Sequence, residues 1–206
     1  MATRLLLIRH GETASNVAGR LCGSTDSPLS AVGELQARHL ARFLAETERI
    51  DALYSSPLQR ARHTAEAIGE RTGLTPVCLD DLRELDCGDC EDLTLDEIQR
   101  RFPDAWERNL LDDEAFGWPG GETRAAFYAR TRHVFGEIAD RHPLATVLVV
   151  SHGAVLSAYL AALLEGRPSA WPRYLLDNCS VSEVQIEGEI ARLVRCNVRD
   201  FLNATC

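Results

Sequence analysis

The sequence contains no lysine: all 22 basic residues among its 206 are arginine. Schiff-base chemistry needs a lysine amine and the phosphate cradle of P-loop enzymes a lysine ammonium, so both are excluded. Fixed positive charge in any site must come from guanidinium groups, planar forks of donors that match phosphate geometry. Nor is there an apolar run approaching a membrane span, and the first residues show neither the basic region nor the cleavage pattern of a secretory leader. The expectation is a cytoplasmic protein with no membrane partner. A formal charge of −9 argues against a broad grip on nucleic acid while leaving room for a cationic pocket in an acidic surface. The cysteines number seven, an odd count that favours free thiols over a disulfide framework. Cys87 and Cys90 have the spacing of half a zinc or redox site but lack a second pair, and they read as small buried fillers.

What the chain does contain is a buried-strand pattern that runs directly into charge. Leu5-Leu6-Leu7-Ile8 is followed by Arg9, His10 and Gly11, then by Glu12-Thr13-Ala14-Ser15-Asn16. In open α/β sheets, ligands bind where strand carboxyl ends meet the following loops, so Arg9 and His10 stand at such an edge. Gly11 permits close backbone approach, and Thr13 or Ser15 can cap a helix whose amides face an anion. Taken alone, the stretch reads equally well as a core strand and capped helix with surface polar residues.

Turn formers fill residues 19–30, and Ser30 reads as the N-cap of a helix from Ala31 to Glu46, with Leu35, Leu40, Phe43 and Leu44 at helical spacing. A strand over 51–55 leads to Ser56 and Pro57, read as the cap and first turn of a helix carrying Arg60. A cation in a first turn opposes the helix dipole, which favours a functional role for Arg60. Arg62 and His63 read as solvated surface. Residues 76–79 form a further strand, and 94–142 are mostly helical, interrupted at Pro103 and at Trp118-Pro119-Gly120-Gly121. A segment of about 86–125 is expected to act as a lid, although core packing is the simpler account of Trp106, Phe116 or Trp118 taken singly. Residues 145–150 are the most strand-like run and end at Ser151-His152-Gly153, repeating the order strand, histidine, glycine, helix. Alternating segments around Glu187-Gly188-Glu189 predict an edge β-hairpin. Together these predict a single domain over residues 1–206, an α/β fold with a doubly wound, mostly parallel sheet, helices on both faces, a helical lid insertion and a C-terminal hairpin.

Three strand ends thus supply Arg9 with His10, Arg60, and His152, and Glu84 stands in the loop before the lid. The runs LIRHGETASN, SSPLQRARHTAEAI, LRELDCGDCEDLT and VLVVSHGAVL, in that order, resemble the histidine phosphatase (phosphoglycerate mutase-like) superfamily over nearly the whole chain. The resemblance implies a phosphomonoesterase whose catalytic residues are His10, Glu84, Arg9, Arg60 and His152. His10 would attack phosphorus as a neutral imidazole and become a phosphohistidine. Arg9 and Arg60 would disfavour the imidazolium and bind phosphoryl oxygens. His152 and Asn16 would donate to the remaining oxygens, with Gly23 and Gly153 completing the substrate-binding set. Glu84 would protonate the departing alkoxide and then deprotonate the attacking water, which predicts faster turnover at mildly acidic pH. Only the L-R-E pattern selects it from Asp86, Asp89 and Glu91. No metal and no cofactor is called for. The expected partner is a small phosphorylated metabolite, and the assembly is a monomer or a homodimer.

Where relatives often carry aromatic residues after the acid, in patterns like FGDWEG, this chain has Cys87, Cys90 and Asp92, so its substrate wall is altered. The PGGET segment and the length are similar to those of broad-specificity and α-ribazole phosphatases. The main competitor is a cofactor-dependent phosphoglycerate mutase, disfavoured by the absence of lysine and the short interval after Glu84. A serine hydrolase using Ser151 lacks half its nucleophile elbow, since Val149 stands where glycine is needed. A metal-dependent phosphoesterase and a non-catalytic scaffold complete the alternatives.

Overall fold

The structure is a computed structural model that describes residues 2–111, 113–188 and 190–203; Glu189 of the expected hairpin turn and the seventh cysteine, Cys206, lie outside that set. Six strands form one sheet: β1 (Thr3–Arg9), β2 (Ala52–Ser55), β3 (Val77–Cys78), β4 (Thr146–Ser151), β5 (Val181–Glu187) and β6 (Ile190–Val198). Their spatial order is β3-β2-β4-β1-β5-β6. The first four in that order run parallel, and β5 and β6 pair antiparallel as the expected hairpin.

Among the described residues, seven α-helices accompany the sheet: α1 (Ala14–Val17), α2 (Ala31–Thr47), α3 (Gln59–Thr72), α4 (Leu95–Arg101), α5 (Pro103–Asn109), α6 (Arg124–Arg141) and α7 (Gly153–Glu165). A strand alternates its side chains between faces, and the apolar runs of β1 and β4 serve two cores at once. Leu5, Leu7, Val147 and Val149 pack with Phe127, Phe135 and Ile138 of α6 and with α7, whereas Leu6, Ile8, Leu148 and Val150 pack with α2 and α3. Continuous apolar runs are therefore required, because both faces of these central strands are covered.

Ser30 caps α2 as expected, accepting from the Gly33 amide, and Thr13 caps α1 in a reciprocal box with Asn16. The helical stretch breaks at Pro103 as expected, α4 ending at Arg101 and α5 starting at the proline, whereas the strand expected over 76–79 is only two residues long. Cys87 and Cys90 are buried fillers beside Ile98, Phe116 and Trp118, and burial pushes the Cys87 thiol up. Among the described residues, no helix is long and apolar enough to cross a membrane.

Candidate active site

The parallel register sets Arg9 opposite Ser151, so the residues that follow each strand, His10 and His152, emerge side by side. Their ring centroids are 5.2 Å apart at an interplanar angle of 58°. The ladder runs one step past β1, through the His10 amide donating to the Ser151 carbonyl at 3.0 Å. His10 Nδ1 lies 2.7 Å from the Gly11 carbonyl, which can only accept. The proton of the neutral ring is therefore on Nδ1, and Nε2 keeps a free lone pair. Burial above all, then the charges of Arg60 and Arg9, push His10 well below the ordinary imidazole value.

Arg60 is 1% exposed, and its donors are mostly committed within the protein. Nε donates to His152 Nδ1 at 3.2 Å, one terminal nitrogen to the Thr25 carbonyl at 2.8 Å, and the other to the Cys22 and Gly23 carbonyls at 3.0 and 2.7 Å. Four of the five N–H groups are thus used, which leaves a single donor for a ligand. The helix bearing Arg60 starts later than its sequence suggests: Leu58 is the N-cap of α3, without a side-chain bond. Ser56, read from sequence as that cap, instead lies with its Oγ 2.7 Å from His152 Nε2. Since His152 Nδ1 accepts from Arg60, Nε2 carries the proton and donates to Ser56. Both imidazole nitrogens are occupied, so a hydrogen bond from His152 to a bound oxyanion must replace one of these two. Burial and then Arg60 push His152 well below the ordinary value as well.

Among the described residues, Arg9 makes one hydrogen bond, to the Leu176 carbonyl at 2.6 Å, and its buried Nε has no partner. Burial pulls its guanidinium down, while the charge of Glu84 acts the other way. Gly153 opens α7 beneath it, where an added Cβ would stand 3.6 Å from the guanidinium, an ordinary contact. Gly23 is different, because a Cβ there would meet the Leu85 carbonyl at 2.4 Å. Asn16 spends its Oδ1 on the Thr13 amide and on Asn178, which also holds the His10 carbonyl, and its own amide NH2 remains as a donor.

Glu84 accepts from the Leu85 amide at 3.0 Å and from the Ala154 amide at 3.1 Å, in the first turn of α7. It also lines a cavity of about 350 Å³, together with Cys22, Gly23 and Ala154. The remaining walls are largely apolar, with Trp106, Phe116, Trp118, Phe127, Tyr128 and Trp171 among them. Phe116 and Trp118 therefore both pack in a core and line this chamber. The chamber and the imidazole cluster share a boundary, since Cys22 and Gly23 face the cavity while their carbonyls hold Arg60.

Ser151 offers no nucleophile: it is fully buried and its hydroxyl donates to the Leu82 carbonyl at 2.8 Å. The structure therefore overturns the serine hydrolase alternative. Sequence reasoning read Ser56 only as a helix cap and did not single out Asn178; each meets the site through a neighbour distant in the chain, and no local pattern marks that contact.

A family profile described as "Histidine phosphatase superfamily (branch 1)" matches residues 5–199. The uncharacterized phosphatase PhoE of Bacillus subtilis is 33% identical over 201 residues, 98% of this chain and 97% of that protein. Phosphoserine phosphatase 1 of Hydrogenobacter thermophilus is 34% identical over 98% of this chain and 93% of its own. Among solved structures, the α-ribazole phosphatase of Shigella flexneri superposes with a TM-score of 0.86 at 29% identity, covering 95% of this chain and 96% of that one.

Proposed function

The chain belongs to the histidine phosphatase superfamily and is a phosphoric monoester hydrolase; from that premise we propose that it acts without a metal, through a phosphohistidine at His10, on a small phosphorylated metabolite. The observation that carries this reading is the His10–His152 pair at adjacent strand ends, with the Arg60 guanidinium bonded to His152 and Arg9 alongside. The free lone pair of His10 Nε2 attacks phosphorus. The ester P–O bond breaks, its electron pair stays on the leaving oxygen, and that oxygen takes the proton from Glu84. Glu84, now a carboxylate, removes a proton from water. The resulting hydroxide displaces the imidazole, the P–N electron pair returns to Nε2, and inorganic phosphate leaves.

Charge on the equatorial oxygens is met by Arg9, by the remaining Arg60 donor, by the Asn16 amide and by His152. The leaving group occupies the apolar chamber beside Glu84, which favours an alcohol with an apolar or aromatic body. A broad-specificity or α-ribazole phosphatase-like activity fits that chamber. The Hydrogenobacter and Shigella relatives carry the names of two different phosphatases, so relatedness alone does not select the ester.

The test is a panel of phosphate monoesters assayed with a chelator present, comparing wild type with His10→Ala. Wild type is expected to release phosphate at an undiminished rate, and to retain 32P label from the ester after an alkaline quench while losing it in acid, as a P–N bond does; His10→Ala is expected to do neither. Activity abolished by the chelator, or labelling that survives the substitution, contradicts the reading.

A further inference from the structure

We propose that Arg130 is a positioning residue for Glu84, acting from α6 on the backbone that carries the general acid and base. The inference rests on the role given to Glu84 above. Arg130 spends every N–H it has. Nε and one terminal nitrogen form a two-point pair with the Glu122 carboxylate at 2.7 and 2.8 Å. The other terminal nitrogen donates to the Asp81 and Arg83 carbonyls at 2.9 and 2.7 Å, and the shared one also reaches the Glu84 carbonyl at 3.0 Å. A fork with five donors in a fixed plane can hold three carbonyls of one short segment in a way that a single ammonium cannot.

The segment so held has little regular structure of its own. After the short turn Asp80–Leu82, residues 83–87 belong to neither helix nor strand, so nothing in a backbone ladder fixes where Glu84 points. Its carboxylate is steered by the Leu85 and Ala154 amides, and Arg130 fixes the main chain behind it. Glu122 closes the clamp from the other side, because its amide donates to the Asp86 carbonyl at 3.0 Å. Arg130 also lies 5.0 Å over the Phe127 ring, and Phe127 and Glu122 both line the chamber. The wall that receives the leaving group and the segment that presents its proton donor are thereby one unit.

A residue that merely stabilises the fold would depress all substrates alike. One that aims a general acid has a different signature, because the need for a proton depends on the leaving group. Dinitrophenolate departs as a stable anion, whereas a simple alkoxide needs protonation. The experiment therefore measures kcat/KM, which reports phosphoryl transfer to His10, for 2,4-dinitrophenyl phosphate and for an unactivated alkyl phosphate, and reads the alkyl-to-aryl ratio. Glu84→Gln sets the scale, with an expected fall in that ratio of about 10²–10⁴-fold. Arg130→Gln is expected to lower it by about 10- to 100-fold, the effect of a displacement near 1 Å, with the aryl value changed only a few-fold.

If Glu84→Gln lowers the ratio and Arg130→Gln leaves it at the wild-type value, the inference is overturned while the acid assignment stands. If Glu84→Gln itself leaves the ratio unchanged, the acid assignment falls and takes the inference with it. Glu122→Gln keeps one of the two bonds to the guanidinium and should shift the ratio in the same direction by a smaller factor. Should Arg130→Gln not fold, an unchanged ratio in Glu122→Gln overturns the proposal.

Discussion

His10 is kept as a neutral base by its surroundings. Burial, Arg60 and Arg9 all act against the imidazolium, in that order, and the Gly11 carbonyl only partly offsets them. Because the value is lowered, His10, the proposed nucleophile, stays unprotonated as pH falls and is lost only when pH passes below the depressed value. The acid limb of kcat/KM in the free enzyme is therefore expected below the ordinary imidazole value, about 6.5. Imidazole 15N shifts at pH 6 should likewise report a neutral His10 in the protein without ligand. Arg60→Gln removes one of the opposing charges, so it should move that midpoint upward. It also removes a phosphoryl donor and the partner of His152, for which a loss of about 10²–10³ in kcat/KM is expected. Of these groups, His10 and Arg9 were legible in the sequence as charge at the end of an apolar strand. That Arg60 spends most of its donors on three backbone carbonyls was not, because the Cys22–Thr25 turn meets it only after folding.

At the scale of the element, the site depends on how closely α2 approaches the turn after β1. The Ser30 amide donates to the Glu12 carbonyl at 2.8 Å, the Ser30 hydroxyl donates to the Glu12 carboxylate at 2.8 Å, and the Glu12 amide donates to Gln36 at 2.9 Å. A Cβ on Gly33 would stand 2.0 Å from the Glu12 carbonyl oxygen, a backbone atom that cannot step aside alone. Gly33→Ala is therefore expected to cost about 1–3 kcal/mol, as overpacking does, read as a lower urea midpoint. It should lower kcat as well, since Glu12 is only two residues from His10. The capping serine and helical period of α2 were plain in the sequence. The contact at Gly33 was hidden, because a glycine within a helix carries no local sign of what passes over it. Ser56 differs from its expected capping role for a related reason: Ser-Pro reads as a helix start, yet that hydroxyl meets an imidazole just beyond another strand.

Across the whole molecule, the proposed function divides between a polar cluster at the β1 and β4 ends and an apolar chamber beside it. The chamber contains Arg124, but that guanidinium is already bonded to the Leu111 and Asn109 carbonyls and lies 4.8 Å from the Phe116 ring centroid. Glu122 is paired with Arg130. A carboxylate brought into this space would meet the carboxylates of Glu84 and Glu122 as well as Arg124, whose terminal nitrogens are already committed, and burying a poorly paired charge is costly. We therefore expect kcat/KM for an apolar alkyl or aryl phosphate to exceed that for 3-phosphoglycerate by at least about tenfold. A preference for 3-phosphoglycerate would restore the mutase reading.

The sequence by itself determined the α/β class, the two-sided burial of β1 and β4, and the superfamily, because apolar runs, caps and four ordered motifs are local properties of the chain. It also reserved all fixed cationic chemistry for arginine. Only the tertiary structure decided how those arginines are used: one largely bound by a turn, one left with an unpartnered Nε, one gripping the loop of the acid. Such choices depend on which carbonyls come within hydrogen-bond reach once the strands are paired, and a guanidinium's partners are fixed by distance in space, which spacing along the chain does not record.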